Sequence, residues 1–432
     1  MEELKNSEVT HENMFTRASV LAEESKVRLV DSDEETGLEL FCYIHCDNNE
    51  TDFIKQCRGL VFHGNELVMK AFSYTDEFVH TDDSLSASIS SLDNWKFYTS
   101  YEGALLRLFY FSGRWFLSTH RKLNAFRSKW ASRDSFGTLF KKALEHESEI
   151  NPLFADRLGE GDNILVRFQN SLDKGKQYMF LLRNCSDNRI VCDPPEPSES
   201  LVFHVGTFVN GQLRMDEPSG LPTPEHHTFK TVTELTDHVA SQNPKRLQGV
   251  MCFGPNNRQL KVLHTSYFDM FQTRGNEPSI KFRYLQVRMN TKMTEMLFSL
   301  YPELKPVFDD YENTLYDIAR SIYRAYVQRF IKKRYVTVPR EEYQVVSECH
   351  AWHLSDRENN RITLDKVIQI LNKQPPTNVN HMIRRFKIEQ AKKQETLPRS
   401  VRSRNNSAVN SPAFTGIAEQ SMLRPTPPQP LE

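Results

Sequence analysis

From about residue 25 to residue 285, apolar and polar positions alternate over short runs separated by polar turns, the period-two signature of half-buried strands. Residues 59–63, 66–70, 106–111 and 115–119 read this way, and Ser112-Gly113 between the last two supplies a hairpin turn. Residues 178–182, 189–192, 201–205 and 249–253 continue the pattern. Two helices interrupt it. Residues 135–147 follow a cap signal at Asp134 and Ser135, and residues 231–243 open on Thr231 with Glu234 three positions on, a capping box. This predicts an α+β fold with antiparallel sheets.

After about residue 287 the period becomes helical. Residues 293–300, 302–308, 312–335, 340–349, 364–373 and 378–393 read as helices. In the longest, Leu315, Ile318, Ile322, Tyr326, Phe330 and Ile331 form an apolar stripe. Arg320, Arg324, Gln328 and Lys332 recur every four residues on the other face, thickened by Arg329, Lys333, Arg334 and Arg340. Such a face is either solvated or a phosphate-binding surface. From Thr396 onward Ser, Asn, Arg and Pro dominate, which predicts a disordered tail. The implied division is 1–287, 288–394 and 395–432.

The 432 residues carry 55 Lys+Arg against 56 Asp+Glu, so any anion-binding surface must come from local clustering. The 28 phenylalanines suit a packed core. Seven cysteines are an odd number without a dense framework, the N-terminus lacks a signal pattern, and no run approaches the ~18 apolar residues of a membrane span. The expected setting is the cytoplasm, with reduced thiols and no membrane contact. Cys349, His350 and His353 form the best metal-like cluster, but tetrahedral zinc needs a fourth ligand; a helix end with Cys349 and Trp352 packed inward is the simpler reading, and no metal is assigned. The stretch 121–130 interleaves Arg121, Lys122, Arg127 and Lys129 with Phe126 and Trp130, suiting either base stacking or closure of a core.

Residues 95–107 combine a strand, the turn Tyr101-Glu102-Gly103 and a second strand. The layout resembles the first motif of covalent nucleotidyltransferases, Lys-x-Asp/Glu-Gly, with Glu102 and Gly103 in place and Ser100 where the lysine nucleophile belongs. Upstream, Arg58-Gly59 resembles the Arg-Gly strand of phage-type RNA ligases, and Met69-Lys70-Ala71-Phe72 with Phe78 resembles the segment after it. Residues 115–121 resemble a strand lining the adenosine pocket. Phe180-Leu181 stands where the family has Phe-Glu, Gln248-Gly249 where it has the metal-positioning Glu-Gly, and Gln259 and Lys261 where it has two lysines on the α-phosphate. The resemblance covers roughly residues 50–270. It is to divergent RNA ligases, including ligase-like proteins of large DNA viruses.

The resemblance implies a nucleotidyltransferase (ATP-grasp-like ligase) domain followed by a helical domain. It places Arg58, Glu102, Gly103, Phe180, Gln248 and Lys261 on a nucleotide; the family's helical C-terminal domain assists substrate binding, which suits the clustered Arg320, Arg324, Lys332 and Lys333 as the candidate nucleic-acid contacts. Ser100, Leu181, Gln248 and Gln259 all lack the charge that the family uses. A serine hydroxyl forms no phosphoramidate, and Lys96, four strand residues or about 13 Å away, would need a bulge to replace it. Three functions follow: a degenerate ligase-fold protein that binds nucleotide or RNA, an active divergent RNA ligase using ATP and Mg²⁺, or a noncatalytic interaction protein. No protein partner is implied.

Overall fold

The computed structural model describes residues 15–395 except Ala71, Ser90, Asn256 and Asn257. The tail expected over 395–432 lies, beyond Glu395, outside the described residues. The chain forms two compact units, Met1–Gln272 and Thr273–Glu432.

In chain order the first unit holds β1 (Val27–Asp33), β2 (Leu38–Tyr43), β3 (Arg58–His63), β4 (Glu66–Met69) and β5 (Asp76–Val79). After these come β6 (Lys96–Ser100), β7 (Gly103–Phe111), β8 (Arg114–Ser118), β9 (Gln177–Arg183) and β10 (Val202–Val209). β11 (Gln212–Arg214), β12 (His226–His227), β13 (Gly249–Phe253) and β14 (Gln259–Leu263) complete the set. They build three sheets, ordered β1-β2-β3-β4, β11-β10-β9-β7-β8 and β12-β6-β13-β14-β5. All pairings are antiparallel except β14 with β5. The fold is α+β with mainly antiparallel sheets.

Alternation along the strands sorts side chains between layers. On β9, Tyr178, Phe180 and Leu182 face a core closed by Phe140, Ala143 and Leu144 of the helix Phe136–Ile150. Met179 faces the opposite core, with Leu38, Val61, Phe109 and Phe253 of all three sheets. On the third sheet Phe97, Val250, Cys252, Leu260 and Val262 pack under Leu235 and Val239 of the helix Val232–Ser241. The β7–β8 hairpin turns at Ser112 and Gly113, with φ of 48° and 84°, the pair of positive values that a two-residue hairpin turn favours.

Three sequence readings are corrected here. Residues 189–192 are not a strand, because the amides of Val191 and Cys192 donate to the Glu102 carboxylate instead of a ladder. Thr265–Arg274 and Ile280–Val287 are helices inside the stretch read as strands. The helix expected over 312–335 instead runs Lys305–Tyr326 and ends in a π-helical turn, Val327–Ile331. The Lys332 amide donates to Val327 O at 2.9 Å and Lys333 turns to a φ of 54°, so the chain leaves the helix axis there.

In the second unit Leu315, Ile318, Ile322 and Tyr326 are the buried stripe of that helix. They pack with Arg340–Ser355, Leu364–Asn372 and Pro376–Glu395. Phe330 leaves the stripe and stacks on His350, centroids 3.8 Å apart, while Ile331 is exposed. Cys349 is buried, His353 Nδ1 lies 2.7 Å from Asn360 O, and no three His, Cys, Asp or Glu side chains among the described residues are placed to hold a metal.

Candidate nucleotide-binding cleft

A cavity of about 260 Å³ opens in the first unit, between the second and third sheets with Arg58 of the first at its side. Of the residues singled out from the sequence, Arg58, Ser100, Gly103, Leu181, Gln248, Gln259 and Lys261 line it. They come from β3, β6, β7, β9, β14 and the residue before β13, so chain separations of up to about 200 residues close on one space. Strand parity explains the selection. On β14 Gln259 and Lys261 share one face, while Leu260 and Val262 enter the core on the other.

Two expected residues do not open on the cavity. Phe180 is one position out of phase with Leu181 and is fully buried against Phe140, Phe168 and His204. Glu102 turns away and is buried. Its carboxylate accepts from the Val191 amide at 3.0 and 3.1 Å, the Cys192 amide at 3.1 Å and the Tyr267 hydroxyl at 2.9 Å. Burial pushes its pKa up, against the lowering effect of those donors. Lys96 does not line the cavity either. β6 and β13 pair in unbroken register from Ser100↔Gly249 to Lys96↔Phe253, so no bulge brings it closer. Of the segment 115–121, none lines the cavity; β8 is the edge strand beyond β7.

Ser100 and Gln248 are joined by a hydrogen-bonded relay whose direction is forced. A carboxylate only accepts, so the Tyr267 hydroxyl proton goes to Glu102. The Tyr267 oxygen then accepts from Gln248 Nε2 at 2.6 Å, which leaves Gln248 Oε1 to accept from Ser100 Oγ at 3.1 Å. Burial and Glu102 together push the Tyr267 pKa well up, so the hydroxyl keeps its proton. A glutamate at position 248 would set two carboxylates against that single proton. Both ends of the Gln248 amide are therefore occupied by protein.

Glycines fix the frame. A Cβ on Gly103 would collide with the Leu182 carbonyl, and one on Gly249, whose φ is +146°, with the Val262 carbonyl. Arg107 is the buried counterpart of Arg58. It donates to Gly59 O, to Thr119 O at 2.8 Å and to Ser118 Oγ at 3.2 Å, and burial pulls it down to about 9. It holds the strand from which Arg58 projects. Arg58 Nη1 donates to Ser73 O at 3.1 Å, and its buried Nε has no partner among the described residues.

Mg²⁺ does not fit this donor set. It requires oxygens in octahedral array, usually one or two carboxylates. Here Leu181 is apolar, Gln248 and Glu102 are engaged, and Glu77, the carboxylate on the cavity lining, lies 3.5 Å from Lys261.

The chain is 28% identical over 411 residues to the immediate-early protein ICP-46 homolog of Invertebrate iridescent virus 6, covering 87% of this chain and 86% of that protein. It is 25% identical over 262 residues to immediate-early protein ICP-46 of Frog virus 3 (isolate Goorha), covering 59% and 64%. A protein of Autographa californica nuclear polyhedrosis virus designated a bifunctional polynucleotide kinase/RNA ligase is 25% identical over 274 residues; the match spans 60% of this chain and 36% of that protein. The solved structures that it resembles are ATP-dependent ligases. One is an Aquifex aeolicus protein designated an ATP-dependent DNA ligase, with TM-score 0.39, 11% identity and coverage of 67% and 77% of the two chains. The other is an archaeal ATP-dependent RNA ligase, with TM-score 0.36, 11% identity and coverage of 65% and 68%. No family model matches the chain.

Tyr267 and Glu77 carry no sequence signal comparable to the motifs, since both act through long-range placement: Tyr267 from a helix after β14, Glu77 from the parallel partner of β14. Arg107 was legible in principle, as a lone cation inside the apolar run 104–111. In the second unit Arg320, Arg324, Lys332 and Lys333 are all exposed. Arg320 and Arg324 sit on the helix, with Arg320 3.7 Å from Asp317, whereas Lys332 and Lys333 lie on the chain leaving the π-helical turn.

Proposed function

We propose that this chain is a nucleotide- and RNA-binding protein on an RNA-ligase-type scaffold that forms no lysyl-AMP. The observation that carries the reading is the relay Ser100–Gln248–Tyr267–Glu102. It fills the positions of nucleophile and metal carboxylate with neutral groups that satisfy one another. Adenylyl transfer needs a nucleophile at the α-phosphate and cations where charge accumulates. Ser100 supplies no amine, and Lys96 stays about 13 Å along the strand. What remains is suited to binding: a walled cavity, Arg58 and Lys261 for phosphate, and a basic surface at Arg320, Arg324, Lys332 and Lys333. Similarity to the baculovirus protein named for RNA ligase agrees with RNA as the partner.

Incubation with α-labelled ATP and Mg²⁺ followed by a denaturing gel tests the chemical half, with no retained label expected. Label mapping to any lysine would restore the active-ligase reading. A salt-dependent RNA mobility shift tests the binding half, and its absence would reduce the cleft to a vestige.

A further inference from the structure

Gln259 is the one cavity-lining side chain whose amide is left unused at both ends. It is 2% exposed, and among the described residues neither Nε2 nor Oε1 has a hydrogen-bond partner. Burying both atoms unpaired is unfavourable, because each gives up its hydrogen bonds to water and gains none in return. A leucine of similar shape would avoid that cost, so the amide is unfavourable for the free protein. Its surroundings are aromatic. Phe253 sits opposite it in the β13–β14 register, 5.4 Å from Phe72 and 5.9 Å from Tyr98 between ring centroids. All three rings line the same cavity.

We propose that Gln259 reads the edge of a nucleobase seated in the cavity against these rings. A glutamine amide offers one donor beside one acceptor, the complement of the N6/N7 edge of adenine, which it engages bidentately. Aromatic faces contribute stacking to any planar base. This inference rests on the nucleotide-binding reading and deepens it. Recognition then includes the base beside the phosphates met by Arg58 and Lys261, and with Gln248 occupied it requires no divalent cation. The base reaches the cavity either on a free nucleotide or from a single strand.

Calorimetric titration with adenosine, ATP and an oligoadenylate, in EDTA and in Mg²⁺, tests this. Adenosine is expected to bind, more weakly than ATP for want of the phosphate contacts of Arg58 and Lys261, and equally in EDTA and in Mg²⁺. N6,N6-dimethyladenosine, which lacks the donor, and the Gln259→Leu protein with adenosine should each bind at least about tenfold more weakly. Oligoadenylate competing with adenosine assigns the base to a strand; competition by ATP alone assigns it to a free nucleotide. A second readout needs no ligand: Gln259→Leu should raise the melting midpoint of the free protein by about 2–4 °C. A lower midpoint, or unchanged adenosine affinity in Gln259→Leu, overturns the proposal. If ATP and RNA bind but adenosine does not, base reading fails while the proposed function stands. If none of the three binds, both fail.

Discussion

Lys261 Nζ lies 3.5 Å from Glu77 Oε1, paired across the parallel strands β14 and β5 at the edge of the cavity. The lysine is partly neutralised by its neighbour, and both side chains reach solvent, so the pair is weak in itself. Glu77→Gln should leave folding unchanged and free Lys261 for an anion. We expect RNA affinity to rise about 2–5-fold at low salt, with a steeper salt dependence. Mobility shifts at two salt concentrations measure it; an unchanged affinity would take Lys261 out of the binding surface.

Tyr267→Phe should be costly for a single hydroxyl. It removes the donor to Glu102 and the acceptor for Gln248 at once, leaving two buried groups short of a partner. The expected loss is about 2–4 kcal/mol of unfolding free energy, read by urea titration. A loss below about 1 kcal/mol would mean that water replaces the hydroxyl and that the relay is not closed.

His204 predicts a pH effect on stability. It is buried, with Nε2 2.8 Å from Thr207 Oγ1, and burial holds its imidazole down to about 4 from the ordinary 6.5. The unfolded chain therefore takes up a proton below 6.5 while the folded chain does not until about 4. Stability is full above 6.5 and falls through that window, by about 3 kcal/mol for this residue. His204→Gln should flatten the decline, measured as unfolding free energy at several pH values. A residual slope belongs to His120, which burial also pulls down, to about 3, and to His227, His264 and His350, which burial lowers as well.

Arg324→Glu with Lys332→Glu tests the second unit. Both residues are exposed, away from Leu315, Ile318 and Ile322, so the double variant should fold with an unchanged melting midpoint. RNA binding should weaken across sequences, and the slope of log affinity against log salt should fall by about one or two units. Unchanged binding would make this face an ordinary solvated surface.

The strands of the cleft were legible because period-two alternation and turn chemistry are local, and the motif-bearing residues of β6 and β14 fell in the phase that lines the cavity. Phe180 shows the limit: resemblance chose the right strand, while parity, visible only once a sheet is assembled, sent the neighbour Leu181 to the cavity. The end of the long helix was missed because the stripe Leu315 to Ile331 obeys helical spacing throughout. The π-helical turn and the exit at Lys333 accompany the stacking of Phe330 against His350, a long-range contact that spacing does not encode. Glu102 was placed by sequence but not its task, since its partners Val191, Cys192 and Tyr267 come from far along the chain.

The one-way polarity of the Ser100–Gln248–Tyr267–Glu102 relay makes the four positions interdependent. Each member's proton is committed to the next, so a carboxylate introduced at one position must find a donor of its own. Glutamate at 248 alone would face the Tyr267 oxygen without a proton between them, because that proton already goes to Glu102. A donor at position 100 would still meet the acceptor oxygen at 248. Charge therefore enters this line of bonds more easily at its donor end than in its middle.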